Sequence, residues 1–187
     1  MSPLRQTYAS QLNDPLLAAN SIASFTGPQN LIKTTGNAAY VAQPCIIPQN
    51  YLKPGTLIRT EAFGTFSTTG TPTLVFGVYY GATVLGVNVA LTTASGAVTL
   101  DWHLRCSTIV RSAAVPSAVV TMTQGELWYG TTLTAITQIP IPGVALATVN
   151  VDNSAANELS VQATYSASSA SNIVVLHSLV IEEVTQS

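Results

Sequence analysis

The chain has 187 residues, enough for one well-buried domain, yet only 7% of them are charged while 47% are hydrophobic; ordinary soluble domains carry roughly 25% charge. Six basic and eight acidic residues give a net charge of −2, and the scattered Arg5, Lys33, Lys53, Arg59, Arg105 and Arg111 lack the clustering that releases counterions from a nucleic acid. No run approaches the ~20 apolar residues of a transmembrane helix, so neither nucleic acid nor membrane is expected as a partner.

Residues 1–38 read as an N-terminal arm outside the main domain. The start lacks an apolar core after a basic stretch, which predicts no cleaved leader. Asp14-Pro15 before Leu16-Leu17 resembles a short helix start, with Asp as N-cap and Pro at the first helical position. Gly27-Pro28 and Thr35-Gly36 then break any periodicity. Leu16, Leu17, Ile22, Phe25, Leu31 and Ile32 give this segment something to bury, and they are the candidate contacts of an extended arm with a neighbouring subunit. The plainer alternative is that the segment adds a strand or covers the domain's own core.

The β pattern begins at Ala39, and residues 39–187 are expected to form one sandwich. Ala39–Ile47 predicts a first strand, with Pro44 suiting an edge. Thr56–Phe66 and Thr73–Tyr80 are rich in β-branched and aromatic residues and flank Ser67-Thr68-Thr69-Gly70-Thr71-Pro72, a loop between antiparallel strands. Both faces of Thr73–Tyr80 are largely apolar, which predicts a buried strand. Val84–Leu91 is short and apolar. In Thr99–Arg111, Leu100, Trp102, Leu104, Cys106, Thr108 and Val110 alternate with Asp101, His103, Arg105, Ser107 and Arg111, Ile109 being the exception; one buried and one wet face follow. Ser117–Tyr129 predicts a long strand with a bulge or bend at Gly125. Gly130–Thr137 is polar and threonine-rich, and Ile139–Gly143 is held extended by its prolines. Val144–Val151, Glu158–Tyr165 and Ile173–Val184 complete the pattern. Eight or nine strands and no long helix predict an all-β, jelly-roll-like β-sandwich.

The stretch GTFSTTGTPTLVFGVYYG resembles a segment of small jelly-roll virion proteins of tailed bacteriophages, where it joins two strands of the sandwich. The resemblance extends to Leu100–Val110 and to SASSASNIVVLHSLVIEEV, covering roughly residues 56–184. It implies a structural virion protein, of the capsid decoration (cement) type or a tail, collar or fibre component. It also implies a homo-oligomer, a trimer by analogy, bound to the major capsid protein or another virion protein, and so a location in the virion. The charge-poor surface independently favours coverage in an assembly.

Catalytic chemistry finds little footing. Asp101, His103 and Arg105 share a strand face, a remnant of an acid-base site at most, and a solvated face explains them as well. Glu182 and Glu183 are adjacent and face opposite ways, whereas glycoside hydrolysis needs two carboxyls across a cleft. Asp152-Asn153-Ser154 with Asn157 and Glu158 is an oxygen-rich cluster that reads as a turn rather than a calcium loop. His177 reads as a structural histidine or a subunit contact. Cys45 and Cys106 have no zinc-ligand spacing, and whether they pair is left open. No enzyme and no cofactor is expected. The alternative from another class is a lectin-like jelly roll, with Trp128, Tyr129, Tyr79 and Tyr80 as stacking platforms, although all four sit in strand-like runs where core packing is the better reading.

Overall fold

The computed structural model describes residues 7–10, 21–32, 44–96, 99–115 and 118–184. The predicted helix start at Asp14, Leu16, Leu17 and residues 39–43 of the predicted first strand lie outside them. The described chain is all-β, and its strands form two antiparallel sheets.

The strands in chain order are β1 (Thr7–Ser10), β2 (Ser21–Ala23), β3 (Gln29–Asn30), β4 (Cys45–Ile47), β5 (Leu57–Ser67), β6 (Thr73–Tyr80) and β7 (Thr83–Val87). They continue with β8 (Leu91–Thr92), β9 (Leu100–Val115), β10 (Ala118–Thr132), β11 (Ala135–Ile141), β12 (Thr148–Asp152), β13 (Asn157–Tyr165) and β14 (Ile173–Val184). The larger sheet runs β1-β14-β5-β9-β10-β11, with β2 also on β14 and β12 also on β10. The smaller runs β3-β13-β6-β7, with β4 also on β13 and β8 also on β6.

The core lies between the sheets, and the alternation read in the sequence builds it. Leu100, Trp102, Leu104, Cys106, Thr108 and Val110 are all buried. From the facing sheet come Leu74, Phe76, Val78 and Tyr80 of β6 and Leu159, Val161, Ala163 and Tyr165 of β13. Phe76 stacks on Trp102 at 4.6 Å between ring centroids. The Trp102 indole N–H donates to the carbonyls of Thr65 and Val175, each at 3.2 Å, so the largest core side chain buries no idle donor. Gly64 makes this possible, since a Cβ there would meet the Val175 oxygen at 1.9 Å and the Trp102 nitrogen at 3.0 Å.

Threonine is not confined to the surface. Thr108 and Thr123 hydrogen-bond each other inside the sandwich at 2.8 Å, and the buried Thr121 hydroxyl donates to the Val149 carbonyl. Paired hydroxyls satisfy one another in a place where an unpaired one is costly.

The N-terminal segment departs from the expected arm. β2 pairs with β14, and β3 pairs with β13. Phe25, Leu31 and Ile32 are buried in the domain's own core, with Ile22 packed against it. Phe25 lies 5.2 Å from the ring of Tyr165. Phe25, Leu31 and Ile32 are therefore part of this domain's own core, the alternative that the sequence left for the segment, and Ile22 is partly covered by it. The described part of residues 1–38 belongs to the fold.

Two other expectations change. Ala135–Ile141 is a strand, hidden in the sequence by the threonine-rich stretch in which it starts and by Pro140. It runs along the edge of the sheet, where a missing N–H is tolerated. Gly125 is no bulge: it stays in register with Cys106 and Ile141. A Cβ there would lie 2.1 Å from the Arg105 carbonyl oxygen, so close strand approach requires the glycine. Cys45 and Cys106 are unpaired and buried.

Candidate functional site

The outer face of the larger sheet carries the molecule's chemistry. Odd-numbered residues of β5 and β9 point outward there, and the ladder lines them up in rows. Phe63 stands opposite His103, and His103 opposite Trp128. In the next row Glu61 faces Arg105, and Arg105 faces Glu126. Beyond that, Arg59 faces Ser107 and pairs with Glu182 at 3.5 Å.

A groove of about 630 Å³ opens over the first rows, lined by Phe63, His103, Trp128, Asp101, Glu61 and His177 among others. Its lining is more apolar than polar, the usual balance of a small-molecule site. A second, more polar hollow of about 330 Å³ adjoins it, with Glu61 common to both and Arg59, Arg105 and Glu126 on its walls. Phe63 and Trp128 are 48% and 42% exposed. They sit two strands apart, so their Cα atoms are roughly 10 Å from each other.

The polar groups between them are held in place. His103 Nε2 lies 2.8 Å from Glu61 Oε1, and Arg105 Nε reaches the same oxygen at 3.7 Å. The His103 ring stands edge-on to Phe63 at 6.3 Å. Gln138 donates to Glu126 at the far wall. His177 reaches the groove through a break in register: β14 pairs Leu176 with Gly64 but Ser178 with Phe63, leaving His177 as the extra residue of a bulge. Bulges re-aim side chains in this way and recur beside functional sites.

Asp101, His103 and Arg105 do share one exposed face, as their spacing predicts, but they do not form a catalytic cluster. Asp101 lies four residues from Arg105, about 13 Å along the strand, and His103 and Arg105 both turn to Glu61. Glu182 and Glu183 separate as expected, Glu182 to Arg59 and Glu183 to the hydroxyl of Tyr51. The Asp152 cluster is a turn: its carboxylate accepts from Ser154 N at 2.8 Å, and the Asn157 amide donates to the carbonyls of Asp152 and Ala155. Among the described residues no group of three or more His, Cys, Asp or Glu side chains is arranged to hold a metal ion.

Of the four predicted stacking platforms, one reaches the groove with its ring on the wet face. Trp128 does; Tyr129 also lines the groove but is half-buried and packed against the core, Tyr80 is in the core and Tyr79 is buried. Phe63 was missed, although it shares parity with Arg59 and Glu61 on β5, a signal that it faces solvent. The two thiols are buried. Burial, with Glu126 second, pushes Cys106 up to about 12, and burial, with Glu158 second, does the same to Cys45.

No protein-family model, curated protein or solved structure matches this chain.

Proposed function

We propose that this chain is a non-enzymatic structural protein of a tailed-bacteriophage virion, a capsid decoration protein that binds the outer head surface and bridges capsid subunits as a homo-oligomer. The observation that carries the reading is the surface. Leu133, Val144, Ile136 and Val89 are 85%, 77%, 70% and 56% exposed, in a chain of which only 7% is charged. Large apolar side chains without surrounding charge are a liability for a free monomer and an asset in an assembly.

Strand order supports a jelly-roll path. Taking β1/β2, β3/β4, β5, β6, β7/β8, β9–β12, β13 and β14 as successive positions, the first, eighth, third and sixth are neighbours in the larger sheet. The second, seventh, fourth and fifth are neighbours in the smaller. Such alternation between sheets is what two Greek keys produce. An oligomer of such domains, a trimer by analogy, spans several capsid subunits at once, and multivalency turns modest contacts into lasting attachment. Placement on the tail, collar or fibres is the alternative within the same class.

The test is light scattering on the purified chain, alongside co-sedimentation with particles stripped of it. A stable oligomer that saturates the stripped heads is expected. A monomer that fails to sediment with particles contradicts the proposal.

A further inference from the structure

We propose that the aromatic groove on the outer face of the larger sheet is a binding site for a neutral saccharide chain, its pyranose rings stacked on Trp128 and Phe63. The inference stands on the groove and is independent of the virion reading.

Pyranose rings present an apolar C–H face edged by hydroxyls. The groove presents the complementary arrangement, two exposed aromatic side chains with Asp101, His103, Glu61 and His177 around them. Roughly 10 Å between the aromatics, set by two strand spacings, suits two rings of one chain with a third residue between them rather than a single sugar. His103 is fixed through Nε2 by Glu61; with that N–H donating to the carboxylate, Nδ1 is left to accept from a ligand hydroxyl. Asp101 forms no ion pair or hydrogen bond among the described residues, and its exposed carboxylate accepts from hydroxyls at the same end. The groove is open and continues into the polar hollow past Glu61, so a polymer can run through it.

Charge selects a neutral ligand. The arginines nearest the groove are already engaged, Arg105 by Glu61 and Arg59 by Glu182, while Asp101 offers a free negative charge. An anionic sugar meets the carboxylates of Glu61 and Asp101 in the groove, while each nearby guanidinium is offset in part by a carboxylate beside it.

The experiment is calorimetric titration of the full chain with cellohexaose, fully N-acetylated chitohexaose and mannohexaose, with a heparin oligosaccharide as the anionic control. Saturable binding of at least one neutral oligomer is expected. Trp128→Ala and Phe63→Ala should each weaken it about tenfold or more. Leu133→Ala, on the hairpin tip and not among the groove's lining, should leave it unchanged. Tryptophan emission gives a second readout: Trp102 is 1% exposed and Trp128 42%, so the ligand should alter the quencher-accessible emission alone. If Trp128→Ala fails to fold, Phe63→Ala and Asp101→Asn carry the same test. No titration by any neutral oligomer at millimolar concentration overturns the proposal, as does tighter binding of heparin or unchanged affinity in the groove variants. Loss of particle binding in Trp128→Ala without any sugar binding would instead assign the groove to a protein contact, and the saccharide proposal falls.

Discussion

The two outer faces of the sandwich are built on opposite principles. That of the larger sheet carries Arg59, Glu61, Asp101, Arg105, Glu126 and Glu182, two histidines and two exposed aromatics. The strands of the smaller sheet contain one charged residue, Glu158, which accepts from the Asn30 amide at 2.7 Å. Its outward positions otherwise include Ile46, Val75, Gly77, Tyr79, Val84, Ser160, Gln162 and Thr164, several of them buried. A composition of 7% charge is thus the average of one face on which charge is concentrated and one from which it is nearly absent. The first presents charged and aromatic side chains to solvent, whereas on the second Tyr79 and Ser160 are themselves buried.

The largest effect that sharpens this contrast is expected where the N-terminal segment joins the smaller sheet. Removing residues 1–38 strips Phe25, Leu31 and Ile32 from the core, and the truncated chain should lose its cooperative thermal transition. Leu31→Ala alone should cost about 2–5 kcal/mol. A truncated chain that melts like the full one would return the segment to the role of an arm.

Next comes the inner side of the charged sheet. Trp102→Ala should destabilise by about 3–5 kcal/mol in denaturant titration, since it removes the stacking on Phe76 and leaves the Thr65 and Val175 carbonyls without the indole donor. His103→Ala, one residue away and outward, should stay within about 0.5 kcal/mol, because an exposed pair with Glu61 contributes little. Equal costs would mean that the two faces are exchanged.

A smaller effect is expected at Gly64. Gly64→Ala drives a methyl group into the Val175 carbonyl and should cost roughly 1–3 kcal/mol as an overpacked site. It should also perturb the neighbouring His177 bulge, visible as a changed His177 resonance by NMR.

The mildest effect is expected from pH. Cys45 and Cys106 have an ordinary value of 9.0 and are raised to about 12 by burial. A raised folded value favours the protonated thiol, so its stabilising contribution is complete below about 9 and lost as the pH climbs toward 12. Melting temperature should fall over that window. Replacing both cysteines with Ala should flatten the decline; a decline just as steep would place its cause elsewhere.

How far the sequence reveals this arrangement varies by element. β9 was legible because it is central and one-sided: burial on one face and water on the other write a strict alternation. β11 was not, because an edge strand with one partner needs little apolar patterning. The N-terminal residues Phe25, Leu31 and Ile32 showed apolar character but not its destination, since a strand of two or three residues leaves no period to read. The groove was half visible. Asp101 and His103 follow from alternation, but the outward Trp128 stands in a strand whose faces were not assigned, and His177 depends on a bulge. Its trace in the sequence is a change of parity: the buried positions of β14 are Val174 and Leu176 before it and Leu179 and Ile181 after it. That change is a usable signal for a strand that bends around a site.

The central claim, that this sandwich is built for attachment to a phage head, is tested most directly by counting its copies per purified particle with quantitative mass spectrometry. The account predicts a number that scales with the capsomers of the head and is released with the head fraction when particles are disrupted. Absence from the particle, or a number matching the symmetry of the tail, would contradict it.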